Sequence, residues 1–114
     1  IDDGVIDAAM RKDLDHPPRQ VIDNELGRSA TTHFNVLSRG SDRTHVELRP
    51  VTGRSHQLRL HMQSIGHPIL GDDLYAPPDL VEASPRLMLH ATILTVKHPA
   101  TGEDVTFHDP CPFE

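Results

Sequence analysis

Cysteine is nearly absent from this chain of 114 residues, where Cys111 stands alone. One thiol cannot close an internal disulfide, and it fits a reducing compartment. Tryptophan is missing and aromatics make up only 4%, so any core must be built from Val, Ile, Leu and Met. A chain of this length buries roughly two-thirds of the surface its unfolded form exposes, enough for one core. It is one domain or part of one. No apolar run approaches the ~20 residues a membrane span requires, and the opening residues carry no signal-peptide pattern. The expectation is a cytoplasmic protein. An initiator Met is lacking as well, since the chain opens "IDDGVIDAAM" without a capping signal and closes on loop-like "HDPCPFE". That asymmetry suggests a chain cut from something longer.

Positive charge is also scarce: the formal net charge is −6, which argues against a generic nucleic-acid binder. The distribution matters more than the total. Residues 39–61 hold Arg39, Arg43, Arg49, Arg54 and Arg59 against Asp42 and Glu47, a local charge of +3 beside −9 for the remainder. Composition leaves two accounts open: chance clustering on a solvated face, or one anion-contacting patch on an otherwise repelling body.

Periodicity gives the elements. Residues 1–30 are polar and proline-interrupted, with "DHPPRQ" at 15–20 the strongest breaker, and read as a loop-rich connector. "TTHFNVLSR" at 31–39 alternates, Phe34 and Val36 on one side, His33 and Asn35 on the other. "THVELRPV" at 44–51 alternates again, with Val46 and Leu48 inward. The "GSD" between them predicts an antiparallel hairpin. From Ser55 to Ile65 the period changes, and Leu58, Met62 and Ile65 recur at i, i+4, i+7, the spacing of one helical stripe. Thr52 and Ser55 are available as N-caps, Gly66 is placed to end the helix, and Pro68 cannot continue it. His56, Arg59 and Gln63 fall on the face beside that stripe. Residues 66–85 read as a Gly/Pro/Asp-rich loop, 86–99 as a strand buried on both faces, 100–104 as a turn and 105–108 as its partner strand. The expected fold is α+β: a mainly antiparallel sheet of at least four strands with one principal helix, residues 31–114 forming the core.

Several chemistries are excluded or weakened by spacing. His56 and His61 are five apart, which does not stack two ligands on one helical face, and no acidic partner completes a zinc pattern. Ser55 beside His56 does not make a triad, which is defined by geometry and not by adjacency. "GDD" at 71–73 is the composition of an Asx-type turn more than of paired catalytic acids. Thr52-Gly53 lacks the Gly-rich loop and Lys of a triphosphate site. The arginines remain. A guanidinium is always charged and its planar fork clamps carboxylate or phosphate. The plainer alternative is a surface arginine with an ion pair worth under ~1 kcal/mol.

"ELRPVTGRSHQLRLHMQSIGHPILGDDLYAP" at 47–77 closely resembles the C-terminal signature of the RluA-type pseudouridine synthases: Leu-x-Pro-x-Thr-Gly-Arg-x-His-Gln-Leu-Arg-x-His, then Gly-x-Pro-Ile-x-Gly-Asp and Tyr. "RLMLHA" at 86–91 and "HPATGEDVTFHDPCPF" at 98–113 continue it, and "DGVIDAAM" with "GRSATTHFNVL" resemble the segment before it. The resemblance covers essentially the whole chain and lies closest to members acting on both ribosomal and transfer RNA. It implies an isomerase needing no cofactor or metal. Such an enzyme flips a uridine into a pocket, where an aspartate attacks the nucleotide and an arginine pairs with that aspartate. By motif position the arginine is Arg59. Leu89 matches the apolar residue lining the base pocket, and Arg54 and His56 fall in the part of the motif expected near substrate phosphate or pocket walls.

The family's His-Arg-Leu-Asp motif, which carries the nucleophile, does not occur in this chain, and the only Leu-Asp pair lies in "KDLDHPP". The family's upstream pocket tyrosine is missing too, Tyr75 belonging to the Gly-Asp-x-x-Tyr element. The resemblance therefore implies the C-terminal half of a catalytic domain, inactive alone, with a sheet edge free for self-association. Two alternatives stand beside it: a non-catalytic RNA-binding module that grips phosphates with the arginine patch, and a structural or interaction domain with incidental histidines.

Overall fold

A computed structural model of the chain describes residues 3–41 and 43–90, and the backbone of 93–97 and 104–108. Nine elements follow in order: β1 (Asp3–Asp7), β2 (Met10–Lys12), β3 (Gln20–Ile22), β4 (Thr31–Arg39), β5 (Thr44–Pro50), α1 (Gln57–Ser64), α2 (Pro78–Glu82), β6 (Ile93–Lys97) and β7 (Asp104–His108). Among the described residues, all strand pairs are antiparallel and fall into three sheets, β1-β4-β5, β2-β3 and β6-β7. The architecture is α+β, as the sequence predicts.

The β4–β5 hairpin forms where alternation places it. Phe34 lies opposite Leu48 and Val36 opposite Val46, while His33 and Asn35 are exposed. Gly40 donates its N–H to the Arg43 carbonyl at 2.8 Å to close the turn. A register shift between Val36 and Ser38 makes Leu37 the residue of a bulge, and it is half exposed.

The first thirty residues need correction. They are not a connector: β1, β2 and β3 all lie there. β1 pairs with β4 from Asp3↔Asn35 to Asp7↔Thr31, a partnership across more than twenty residues that local composition does not reveal. The prolines break the chain only between β2 and β3, and the two strands pair on either side of that break, Met10↔Ile22 to Lys12↔Gln20. A short helix, α2, also stands within the predicted 66–85 loop. It has Pro78 at its first turn, where a missing N–H costs nothing. The predicted strand at 86–99 starts late: Met88 instead bonds its N–H to the Leu70 carbonyl, and β6 begins at Ile93. β7 returns beside it as expected. Residues 86–90 of the predicted buried strand are half-buried or exposed, and Asp104 of the predicted turn already belongs to β7; the burial of 91–99 and the turn residues 100–103 lie outside the described residues.

Helix α1 is found within two residues of its predicted ends, but it turns a different face inward. Gln57, Leu60, His61 and Met62 are buried; Leu58 is half-buried and Ile65 exposed. The predicted stripe of Leu58, Met62 and Ile65 includes neither Gln57 nor His61. Here both are internally satisfied. Gln57 Nε2 donates to the Thr31 carbonyl (3.0 Å) and the Thr32 hydroxyl (2.9 Å), and Oε1 accepts from the Arg54 N–H (3.1 Å) and the Thr52 hydroxyl (2.6 Å). Thr32 Oγ1 in turn meets His61 Nδ1 at 2.8 Å, and His61 Nε2 meets the Ala8 carbonyl at 2.9 Å. The carbonyl can only accept, so Nε2 carries the hydrogen and Nδ1 accepts from Thr32. Each buried polar atom of this relay has its partner, the condition under which burial is tolerated. Neither predicted N-cap caps: Thr52 spends its hydroxyl on the Gln57 side chain, and the cap residue is His56, left-handed at φ 57° and ψ 20°.

The core beneath the helix is small. Met10, Ala30, Leu60 and Tyr75 form it, with Ile22 and Leu74 packed alongside. It ties the β2–β3 hairpin, α1 and the loop after α1 into one body, which fixes the side chains described next.

Candidate active site

The chain leaves α1 through Gly66 (φ +84°) and returns along residues 67–75, bringing the "GDD" segment under the helix. Gly71 makes this approach possible. Its φ is +78°, and a Cβ there would run into the Arg86 carbonyl. The next residue, Asp72, has no solvent exposure. Its Oδ1 accepts the backbone N–H groups of Leu74 (3.1 Å) and Tyr75 (3.2 Å), the Asx turn expected from composition. The same carboxylate binds Arg59 from two sides, Nη2 to Oδ1 at 2.6 Å and Nε to Oδ2 at 3.1 Å. Asp73 stands farther out at 3.5 Å from Nη2.

This bidentate pair is the electrostatic centre of the site. Burial pushes the Asp72 carboxyl up, but the Arg59 hydrogen bonds and the two backbone donors outweigh it and hold it below the ordinary carboxylate range. The hydrogen bonds to Asp72 raise Arg59 in turn. Asp72 takes the side edge of the guanidinium. Of its five N–H donors, those on Nη1 make no hydrogen bond among the described residues. A second carboxylate or a phosphate can be held on that edge while Asp72 fixes the first.

Arg59 forms part of the wall of a cavity of about 250 Å³, together with Pro50, Thr52, Gly53, Arg54, Gln57, Leu58 and Leu89. Three of the four residues singled out from the sequence, Arg59, Arg54 and Leu89, therefore share one hollow. Arg54 is half-buried there, its Nε donating to the Ser29 carbonyl at 3.0 Å. His56 is the exception. Its left-handed backbone turns the ring toward Tyr75, edge to face at 5.6 Å between centroids, with Nδ1 2.8 Å from the phenolic oxygen. Tyr75 already accepts the Gln20 N–H at 2.8 Å, so its hydroxyl donates to Nδ1. Burial first, then the Arg59 cation, lower the His56 pKa, with Asp72 opposing weakly. That environment favours the neutral ring which accepts from Tyr75. The cavity thus contains no part of His56, and sequence position alone gave no sign of this.

Two residues at the centre of the geometry were not singled out beforehand. Asp72 was read as a turn former, and its pairing with Arg59 across thirteen residues depends on the loop path that Gly66 and Gly71 permit. Tyr75 also serves as platform: the Arg59 guanidinium carbon lies 5.4 Å from its ring centroid. A larger hollow of about 560 Å³ lies over the outer sheet face near His33, Asn35, Glu47 and Arg49, where Arg49 pairs with Glu47 at 2.9 Å. Its charged lining residues are Asp3, Glu47 and Arg49, the last two paired with each other. Among the described residues, no group of three or more His, Cys, Asp or Glu side chains is placed to hold a metal ion.

The geometry accords with what the chain is similar to. A family profile described as RNA pseudouridylate synthase matches residues 2–64. The "Dual-specificity RNA pseudouridine synthase RluA" of Salmonella typhi is 46% identical over 112 residues, covering 97% of this chain and 51% of that protein. The protein of the same name from Haemophilus influenzae is 53% identical over 108 residues, covering 94% and 49%. Among solved structures, "Human RNA Pseudouridylate Synthase Domain Containing 1" superposes with a TM-score of 0.83 at 32% identity, over all of this chain and 50% of that one. "Human RNA Pseudouridylate Synthase Domain Containing 4" does so at 0.65 and 27%, covering 98% and 53%. The chain thus spans about half the length of the relatives it matches, and the signature around Arg59 and Asp72 lies within that half. On the profile match and on these identities, the chain belongs to the RNA pseudouridylate synthase family.

Proposed function

We propose that the full protein containing this chain isomerises uridine to pseudouridine in RNA, ribosomal or transfer RNA being the expected substrates and the cytoplasm the expected location. The reaction exchanges the nitrogen–carbon glycosidic bond of uracil for a carbon–carbon bond. A ring C–H proton is lost and an N–H is gained, so no oxidant, reductant or metal is required. In this reading the nucleophilic aspartate comes from outside this chain and lies on the open edge of Arg59, which keeps it ionised and aimed. Leu89 and Leu58 supply apolar wall to a flipped base. Arg54 stands at the rim toward the sugar–phosphate backbone, while His56 supports Tyr75 instead of touching substrate.

The observation that supports this most is the meeting of Arg59, Arg54 and Leu89 in one hollow, with Arg59 immobilised by a carboxylate of zero exposure. The non-catalytic RNA-binding reading is weaker, because the arginines are not arrayed as a free patch. Arg49, Arg54 and Arg59 each hold a partner within the chain. Full-length protein should release tritium from RNA carrying uridine labelled at the ring C–H, and Arg59→Ala should cut that release by about 10²–10³-fold, the scale of a lost electrostatic stabiliser, while RNA affinity persists. Normal turnover in the variant would remove Arg59 from the mechanism. The same reading expects the fragment alone to self-associate through β1 or β5, the edges of the three-stranded sheet. Concentration-dependent size-exclusion chromatography checks this.

A further inference from the structure

A second arginine leans on Tyr75. The guanidinium carbon of Arg19 lies 5.4 Å from the ring centroid, the same separation as Arg59, so one aromatic ring connects the two cations. The backbone of Arg19 is pinned on both sides in the β2–β3 loop: its N–H donates to the His16 carbonyl at 3.0 Å, and its carbonyl accepts the Asp13 N–H at 3.0 Å. The neighbouring Gln20 N–H is tied to the Tyr75 hydroxyl. The Nε atom is sealed from solvent and has no hydrogen-bond partner among the described residues. None of the guanidinium nitrogens donates to a described residue, and the two terminal nitrogens are not sealed as Nε is.

Nearby acids do not neutralise this cation. Asp72 is committed to Arg59, Leu74 and Tyr75. Asp13 is engaged by the Asp15 N–H and the His16 ring. Arg19 is therefore a charge immobilised by its backbone and by an aromatic face, its terminal fork open and its inner nitrogen unsatisfied. A freely solvated surface arginine has neither restraint. An immobilised fork matches the two oxygens of a phosphate. On a body of net charge −6, polyanion contact must come through discrete sites of this kind rather than through a general positive field.

We infer that the Arg19 fork, held against the buried ring of Tyr75, forms an RNA phosphodiester site one aromatic ring away from Arg59. The inference rests on the RNA substrate of the proposed function, though not on catalysis. It is tested in the full-length protein with Arg19→Gln and Arg19→Lys, by measuring affinity for a uridine-bearing RNA stem-loop across a salt series, and thermal melting. One lost phosphate contact reduces the slope of log K against log salt by about 0.7–0.9. Arg19→Gln should show that reduction with its melting temperature held, and Arg19→Lys, which keeps the charge, should restore the slope. An unchanged slope in Arg19→Gln overturns the site. If melting falls at the same time, the fork serves a carboxylate within the protein instead. Should Arg19→Gln not fold, Arg19→Met, which keeps an apolar stem against Tyr75 and removes the charge, takes its place, and an unchanged slope there overturns the site equally. A changed slope in a protein that makes no pseudouridine would sustain this site while refuting the enzymatic reading.

Discussion

Helix α1 has two polar sides that look alike as sequence and differ physically. On the sheet side, Gln57 and His61 are buried and closed into a relay with Thr32 and the Ala8 carbonyl, with no polar atom left over. On the other side, Arg59 and its neighbours bound a hollow, and the guanidinium has one edge fixed by Asp72 and one edge without a hydrogen bond among the described residues. A polar group whose bonds are all made inside the protein holds the fold together. One whose bonds are only half made can act on something else.

The sheet side should yield the larger stability change. His61→Ala leaves the buried Thr32 hydroxyl without its acceptor and the half-buried Ala8 carbonyl without its donor, at about 1–3 kcal/mol for each group that water cannot satisfy. We expect a fall in unfolding free energy of about 2–4 kcal/mol by urea titration of the full-length protein, with kcat of the folded fraction unaltered. A large kcat loss without destabilisation would erase the distinction between the two sides. Asp72→Asn should behave the other way. The amide keeps an oxygen for the Leu74 and Tyr75 N–H groups but loses the charge that clamps Arg59. We expect a roughly 10–100-fold fall in kcat, or about 1.4–2.7 kcal/mol in barrier, with KM changed far less. A loss confined to KM would mean that Asp72 does not position Arg59 for chemistry.

Acid should produce the smallest and most graded effect. The folded pKa of His56 lies below its ordinary value, so the unfolded chain binds the proton first and stability begins to fall as pH drops below about 6.5. Asp72 is also lowered, so its contribution is present above its unfolded value near 3.8 and is lost as pH falls through the lower folded one. Melting temperature should therefore decline in two stages, a shallow one below pH 6.5 and a steeper one below pH 4. Tyr75→Phe, which removes the donor to His56, should alter the first stage and leave the second in place. A single acid transition unaffected by that substitution would detach His56 from the site.

How much of this could be read beforehand follows from the range of the interactions. The β4–β5 hairpin is specified by alternation and a short turn, all within twenty residues, and its pairs Phe34↔Leu48 and Val36↔Val46 join the residues that alternation places on one face of each strand. α1 was legible as a helix because its period is local. Its buried side was not, because Gln57 and His61 are made interior by Thr32, twenty-five and twenty-nine residues away. β1 was hidden for the same reason, its order coming from β4. At the site, Arg59, Arg54 and Leu89 were identified by resemblance to a family signature and not by any spacing rule. The misplaced residue was His56, for no property of a histidine in sequence announces a left-handed backbone.

That backbone limits what position 56 can become. At a φ of 57°, a side chain branched at Cβ meets its own carbonyl, whereas asparagine or glycine fits without distortion. Replacement there is screened by shape before chemistry is considered. A reshaped helix entrance would swing the whole first turn, and with it the direction in which the cavity opens.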